Sequence, residues 1–271
     1  RHTFDFRVRY PLALVQEMDE RRFLFPHEPR RSCIDVYLDD ANGGAEIAIG
    51  TFTLVEDLVS SRTLEGVPNG TYVVRVRDCG SANVWLLGPV AVEGMDVDVS
   101  IGAIGDVRVS ITGFESSSPG REAYALITDQ EGRLASAAYV SESVSGRGVA
   151  VSRNLLTGTY YVWARMKQEG LCARPVAVTV AANQISLVEC VLRPAPEVDI
   201  DMSSIDGTVR RIDLVDPGNG ARRSVLRRPS NKCIQRIPAG SWTIETWTQD
   251  NQLIKNAVNI DAGTSTVRLG M

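Results

Sequence analysis

Hydrophobic and polar residues alternate along three short stretches of the chain, one near residue 5, one near 108 and one near 200. Their apolar members are Phe4, Phe6 and Val8, then Val107, Val109 and Ile111, then Val198, Ile200 and Met202. Charged or small polar residues such as Asp5, Arg108 and Asp199 stand between them. Successive side chains of a β-strand point to opposite faces, so this period predicts strands with one buried side.

A turn followed by an aromatic strand also returns three times. The stretches read VPNGTYVVRV at 67–76, LLTGTYYVWA at 155–164 and IPAGSWTIET at 237–246. Each turn ends in glycine, then Thr or Ser, then an aromatic residue, which is Tyr72, Tyr160 or Trp242. Glycine adopts the positive φ that many turns require, and the residues that follow alternate again. The repeated phrase therefore predicts the same turn-and-strand corner in three copies of one unit.

Further segments recur in the same order within each copy. After the opening strand, a turn with Asp40, Asp129 or Asp216 and a nearby glycine predicts a hairpin. Another short strand precedes the corner, and a pair of strands closes each copy. About seven short strands per copy are typical of an immunoglobulin-like sandwich. The sequence thus predicts an all-β chain of three tandem antiparallel sandwich domains at 1–104, 105–195 and 196–271, joined by short, stiff connections.

This order of opening strand, Asp-turn-Gly hairpin, Gly-[Thr/Ser]-[Tyr/Trp] corner and closing strands resembles a known group. It is similar to the carboxypeptidase regulatory-like domains and to their prealbumin-like and collagen-adhesin B-type relatives. The resemblance covers almost the whole chain, and its motifs report the fold rather than a chemical activity. It implies three prealbumin-like sandwiches and a non-catalytic accessory or spacer role outside the cytoplasm.

Composition and charge limit the classes of partner and location. The chain has 271 residues and a net charge of −4, which is too small to favour a nucleic-acid partner. No apolar run reaches the roughly 18 residues that span a bilayer. The sequence opens on Arg1 rather than Met, so we expect that a leader was removed or that the sequence was trimmed. Together with the resemblance, this predicts an extracytoplasmic protein, periplasmic or at the cell surface, with no transmembrane segment in this chain.

The sequence contains no recognisable catalytic or cofactor-binding pattern. His2 lies near one end and His27 lies in a proline-flanked stretch, whereas nucleophilic sites need a histidine beside the nucleophile. Acidic pairs such as Asp39 and Asp40 lack the ligand density of a calcium loop. We therefore predict that the protein is not an enzyme and that it holds neither a cofactor nor a metal.

One segment interrupts the repeat, between the first and second strands of the first copy. It covers residues 11–31 and is longer than the matching connections. Loops of this length in compact domains are often functional. Its apolar side chains favour docking on another protein or on a membrane edge over capping of their own domain. The predicted docking residues are Leu12, Val15, Met18, Phe23, Leu24 and Phe25.

Arginines concentrate in the third copy. Arg222, Arg223, Arg227 and Arg228 form a predicted basic patch that would bind an acidic partner or lipid head groups. The alternative is that these charges only keep a hairpin edge from pairing with other strands. Both interpretations follow from the same residues.

The five cysteines lack the spacing of zinc or redox motifs. Cys33 and Cys79 lie at strand ends of the first copy, and Cys172 and Cys190 lie on closing strands of the second. Each pair is a candidate disulfide in an oxidising compartment. The alternative is that all five are buried thiols that act as small hydrophobes.

Two functional hypotheses follow. The first is a non-catalytic scaffold, a rigid three-domain strut that serves as an extrinsic accessory subunit of a larger extracytoplasmic or membrane-associated assembly through protein–protein contacts. The second is a carbohydrate-binding or cell-surface adhesion module, in which exposed tryptophans stack on sugar rings. The tryptophans are Trp85, Trp163, Trp242 and Trp247, of which the strand register predicts Trp242 to point inward and Trp163 and Trp247 outward.

Overall fold

The structure, a computed structural model, describes residues 3–11, 14, 33–40, 46–53, 58–79, 83–114, 123–144, 146–166, 170–205, 208–226 and 232–270. Within these ranges the chain forms 23 β-strands. The strands fall into three successive sets, which correspond to the three copies predicted from the sequence.

The first set contains seven strands. They are β1 Thr3–Arg9, β2 Cys33–Asp40, β3 Glu46–Thr53, β4 Val59–Glu65, β5 Gly70–Asp78, β6 Val84–Val92 and β7 Val97–Ser100. They form a three-stranded sheet in the order β4-β1-β7 and a four-stranded sheet in the order β3-β2-β5-β6.

The second set contains nine strands. They are β8 Ile104–Thr112, β9 Ala123–Thr128, β10 Leu134–Val144, β11 Arg147–Leu156, β12 Gly158–Met166, β13 Leu171–Cys172, β14 Val176–Val180, β15 Ile185–Val191 and β16 Arg193–Pro194. Hydrogen bonds link them in the order β15-β8-β11-β10-β9-β12-β13-β16, and β14 also pairs with β12. The first half of β10 pairs with β9 and its second half with β11, so this strand connects the two sheet layers.

The third set contains seven strands. They are β17 Glu197–Asp201, β18 Val209–Val215, β19 Arg222–Leu226, β20 Lys232–Arg236, β21 Gly240–Thr248, β22 Leu253–Ile260 and β23 Thr266–Arg268. They repeat the arrangement of the first set, with sheets in the orders β20-β17-β23 and β19-β18-β21-β22. When the two-residue strands β13 and β16 are set aside, the second set has this topology too.

The predicted all-β, immunoglobulin-like sandwich fold is confirmed, with one difference in strand direction. The last long strand of each set pairs in parallel with the opening strand: β7 with β1, β15 with β8 and β23 with β17. The two closing strands of a set therefore do not pair with each other. The chain crosses from the four-stranded to the three-stranded layer between them, and it reaches the free edge of the opening strand in the parallel direction.

The alternating pattern of the opening strands places their apolar residues in the cores. Phe6 and Val8 of β1, Val107 and Val109 of β8, and Val198 and Ile200 of β17 are all fully buried. The intervening residues are half-buried or exposed. Burial of one face drives strand formation here, since each apolar side chain removed from water contributes about 1.5–3 kcal/mol.

The corners of the first and third copies share one local structure. The Tyr72 hydroxyl donates a hydrogen bond to the carbonyl of Pro68 at 2.9 Å, and Trp242 Nε1 donates to the carbonyl of Pro238 at 2.7 Å. Each bond closes the turn over four residues, and each ring enters the core. At the middle corner, burial raises the pKa of Tyr160 to about 12, so its phenol stays protonated at neutral pH.

The chain divides into two compact units. The first comprises Arg1–Gly105 with Arg153–Thr157, and the second comprises Asp106–Ser152 with Gly158–Met271. Within the first unit, Trp85 Nε1 donates to the carbonyl of Asn154 at 2.6 Å, which holds residues 153–157 against β6. The second unit contains most of the second strand set and all of the third. The division into three domains at 1–104, 105–195 and 196–271 stays a prediction.

Candidate functional site

The predicted docking residues of the insertion, Leu12, Val15, Met18, Phe23, Leu24 and Phe25, lie outside the described residues. Its described part is Pro11 and Leu14, which follow Tyr10 at the end of β1. Leu14 is fully buried in the apolar core of the first unit, beside the buried Tyr10. The Leu14 amide donates to the carbonyl of Pro11 at 3.0 Å. This start of the insertion therefore contributes to the core of its own sandwich, a role that the docking prediction did not assign.

The described half of the predicted basic patch is engaged inside the second unit. Arg222 forms ion pairs with Glu245 at 2.7 Å and with Asp213 at 3.6 Å. The guanidinium of Arg223 lies over the ring of Trp163, 5.1 Å from its centroid. Both arginines are only partly exposed. Arg222 is thus paired within the fold and Arg223 is stacked on Trp163, while Arg227 and Arg228 lie outside the described residues.

Buried carboxylates explain why Arg222 turns inward. Asp213, on β18, has no solvent-exposed surface and accepts from Arg211 at 2.8 Å and from the Ser224 hydroxyl at 2.6 Å. Glu245, on β21, is also buried and pairs with Lys255 at 2.9 Å as well as with Arg222. A buried carboxylate without a cation would be costly, so strand β19 supplies Arg222 between the two acidic side chains.

Stacked tryptophans form the centre of the contact between the second and third strand sets, which we call the junction. The rings of Trp163, on β12, and Trp242, on β21, are 6.0 Å apart at an interplanar angle of 27°. Both are buried, and Trp163 belongs to the same apolar cluster as the core of the third set. Trp163 points away from its own sandwich, as its register predicted, but the third strand set covers it.

Polar contacts surround this aromatic pair. Arg174 pairs with the buried carboxylate of Asp216, with nitrogen–oxygen distances of 2.8 and 3.1 Å, and its guanidinium lies 5.2 Å from the ring centroid of Trp242. Gly240, at a φ of 125°, lies against this guanidinium, where a Cβ atom would collide with it. The backbone angle favours glycine there, and a Cβ atom would in addition make the Arg174 guanidinium shift.

Hydrogen bonds to the backbone complete the junction. The Tyr161 hydroxyl donates to the carbonyl of Asn219 at 3.1 Å. The side-chain Nδ2 of Asn219 donates to the carbonyl of Pro175 at 2.8 Å. On the other side, Thr128 Oγ1 donates to the carbonyl of Arg222 at 3.1 Å. The turn that begins at Asp216 was identified in the sequence as hairpin chemistry, and the structure gives it a second role as a contact with the second strand set.

The four tryptophans do not form an exposed platform. Trp85, Trp163 and Trp242 are buried, and Trp247 is half-buried. Sugar stacking needs exposed rings on one surface, so this placement argues against the sugar-binding role that the sequence left open for the tryptophans.

The cysteines are all free thiols. Cys172 lies directly opposite Arg165 on the outward face of β12, whereas Cys190 faces the core from β15 in the other layer. The structure does not bring the predicted pair Cys172 and Cys190 together: their strands are not neighbours, Cys172 faces outward from one layer, and Cys190 faces the core from the other.

Cys33 and Cys79 are well placed for a disulfide. The amide of Cys79 donates to the carbonyl of Cys33 at 3.1 Å, which places the two residues opposite each other at the ends of β2 and β5. Directly opposite residues of an antiparallel pair are about 5.5 Å apart at Cα when they share such bonds, which is within the range of disulfides. Burial, followed by the neighbouring Cys33 thiol, raises the pKa of Cys79, so the reduced thiol is a slow nucleophile near neutral pH.

We expect oxidised glutathione, which is reduced to two thiols in the exchange, to convert Cys33 and Cys79 into one disulfide. Intact-protein mass spectrometry should show the loss of two hydrogens, and peptide mapping should place the bond between these residues. Cys33→Ser is the control and should show no internal bond. The Cys33–Cys79 pairing would be contradicted if either cysteine bonded to another residue or both remained alkylatable in the folded protein.

The other cavities and side-chain clusters of the described ranges contain few groups that could carry chemistry. A groove of about 450 Å³ in the first unit is lined by Leu86, Leu87, Val90, Leu156 and neighbouring residues, and Asp98 is its one ionisable side chain. No group of three or more His, Cys, Asp or Glu side chains among the described residues is placed to hold a metal. No helix in this described part is long and apolar enough to cross a bilayer.

No known protein family and no curated protein matches the chain, so the resemblance to carboxypeptidase regulatory-like domains stays a prediction. Among solved structures, the chain is similar to the Bacillus anthracis TIE protein, with 12% identity over 100% of this chain and 50% of that chain and a TM-score of 0.27. It is also similar to a streptococcal ancillary pilin, with 12% identity, coverage of 99% and 98% and a TM-score of 0.24.

A third similar structure is GBS52, the minor pilin of Streptococcus agalactiae, with 13% identity, coverage of 71% and 98% and a TM-score of 0.29. The chain spans half the length of the TIE protein chain and nearly all of the two pilin chains. With identities and TM-scores this low, these likenesses carry no argument about function.

Proposed function

We propose that the protein is a non-catalytic structural subunit of a larger extracytoplasmic assembly. In this proposal three β-sandwich domains form a stiff strut, and the chain acts by contacts with other protein subunits, as an extrinsic component beside a membrane or at the cell surface. Neither a cofactor nor a nucleic acid takes part in this role.

The junction is the observation that supports the proposal. A flexible string of domains would need only a linker between its second and third members, whereas here two tryptophans stack and Arg174 pairs with the buried carboxylate of Asp216 across the two strand sets. Contacts of this kind hold one relative orientation, because bending would separate the rings and expose the Asp216 carboxylate without its cation. A scaffold needs that property, and a catalyst with a rigid single-domain site does not.

The protein's state in its native source tests the proposal. We expect size-exclusion chromatography of gently solubilised native material to place the chain in a complex larger than itself, and chemical cross-linking to join it reproducibly to the same other subunits. A parallel passage over immobilised polysaccharides serves as the comparison. Migration as a single chain, or retention on a polysaccharide with release by the free sugar, would contradict the structural role.

A further inference from the structure

Among the residues that the structure describes, two arginines at the edge of the junction have no acidic partner. Arg165, on β12, and Arg223, on β19, both keep a buried Nε atom without a hydrogen-bond acceptor. Over the described ranges neither side chain forms an ion pair. The neighbouring arginines differ, since Arg174, Arg211 and Arg222 each bind a buried carboxylate. The two unpartnered guanidiniums are therefore exceptions within a junction that otherwise balances its charges.

The strand geometry brings these two side chains over one surface. Trp163 and Arg165 lie on the same face of β12, two residues and about 7 Å apart. Arg223 lies over the ring of Trp163, and Arg165 lies over the ring of Tyr124, 5.4 Å from its centroid. The ring of Tyr139, which is 60% exposed, continues the surface 5.8 Å from Tyr124. Both arginines are partly exposed, so solutes reach them.

The electrostatics of the cluster leave a net positive charge. Burial, and then the charge of Arg165, lowers the pKa of Arg223 to about 10, which still leaves Arg223 protonated at neutral pH. Burial raises the pKa of the Cys172 thiol and of the Tyr124 phenol, although the nearby arginines oppose this. Both groups are therefore neutral at pH 7 and do not balance the two cations.

We propose that Arg165 and Arg223 form a binding site for an oxyanion, which is a carboxylate, sulfate or phosphate group. A guanidinium presents a planar fork of N–H donors that matches the oxygens of these groups. The anion would accept from guanidinium N–H groups of both side chains and would remove the repulsion between the two cations. The exposed ring of Tyr139 provides an apolar surface for the carbon part of a larger ligand. The proposal concerns the isolated chain and does not depend on the assembly proposed above.

Titration of the ¹⁵N-labelled full chain tests the site directly. Sodium sulfate, sodium phosphate and sodium acetate are added separately, with sodium chloride adjusted to keep the ionic strength constant. We expect saturable shifts of the Nε–H resonances of Arg165 and Arg223 with at least one oxyanion. Sulfate or phosphate binding alone would indicate a tetrahedral ligand, and acetate binding would indicate that a carboxylate of a peptide or small acid also fits; each supports the site.

Matched variants locate the binding. Arg165→Gln and Arg223→Gln should each weaken the affinity by about tenfold or more, since a charge-assisted hydrogen bond is lost. Arg133→Gln is the control, because Arg133 lies on the second strand set but is already paired with Asp129 and Glu131. If Arg223→Gln does not fold, the more peripheral Arg165→Gln decides. Shifts that chloride reproduces, or equal weakening in Arg133→Gln, would overturn the proposal.

Discussion

Asp213→Asn is expected to lower the free energy of unfolding of the second unit by about 3–5 kcal/mol. Asp213 has no exposed surface and holds Arg211 in two contacts of 2.8 Å, with Arg222 on its other side. The amide keeps the shape of the side chain but removes its charge, so Arg211 loses its counter-charge and Arg222 keeps only its pair with Glu245. Urea denaturation followed by circular dichroism measures the loss.

Asp98→Asn is the matched control for this prediction. Asp98 faces Arg7 and Arg9 at 4.0 Å, and its side chain is 48% exposed. Exposed pairs contribute about 0–1 kcal/mol, so the first unit should lose little stability. A double-mutant cycle of Asp213→Asn with Arg211→Gln should show strong coupling. Similar losses for Asp98 and Asp213, or no coupling, would show that burial of the network is not the source of the stability.

Trp163→Ala is expected to cost about 3–5 kcal/mol in the second unit and to separate the unfolding of its two strand sets. The substitution leaves a cavity against Trp242 and removes the ring beneath Arg223. Trp163 is not part of the core of its own sandwich, so the second set should keep its sheets when the ring is lost. Most of the cost should therefore fall on the junction.

Two probes distinguish this outcome from general destabilisation. Hydrogen exchange should follow β9 and β12 on one side of the junction and β18 and β21 on the other. In the wild type the strand sets should open together, and in Trp163→Ala the third set should open first. Leu187→Ala, at a position 77% exposed on β15, is the control and should change neither stability nor coupling. If Trp163→Ala lost stability but its two strand sets still opened together, the result would contradict the role of Trp163 in holding the two sandwiches together.

The alternation of apolar and polar residues predicted most of the strands, because a period of two is a local property of the sequence and does not depend on which strands pair. The opening strands, the Asp turns and the aromatic corners are where the alternation and the turn residues predicted them. The strand partners were harder to predict. The closing strands looked like a hairpin from their short connection, and only the layered structure shows that the last strand crosses to the opening strand and pairs in parallel.

The candidate sites were much less predictable. Arg222 and Arg223 were predicted to form a charged surface because arginine is usually exposed. No local feature of the sequence indicates that Arg222 pairs with the buried Asp213 and Glu245, or that Arg223 stacks on Trp163. Likewise, Cys172 and Cys190 lie on strands near each other in sequence, but sheet order places them in different layers. Trp163 gave the one usable signal, since an outward-facing tryptophan next to Tyr161 on a strand indicates a surface that another element covers.

The sequence by itself determined the kind of structure, which is three copies of the same set of strands and corners. Apolar periodicity and turn chemistry depend only on neighbouring residues, so both can be recognised in the sequence. The tertiary structure alone decided which outward faces are buried against each other and which charges meet. Those outcomes depend on residues about 40–80 positions apart, such as Trp163 with Trp242 and Arg174 with Asp216. Their energies arise from the removal of water between surfaces, a quantity that no local stretch of sequence contains.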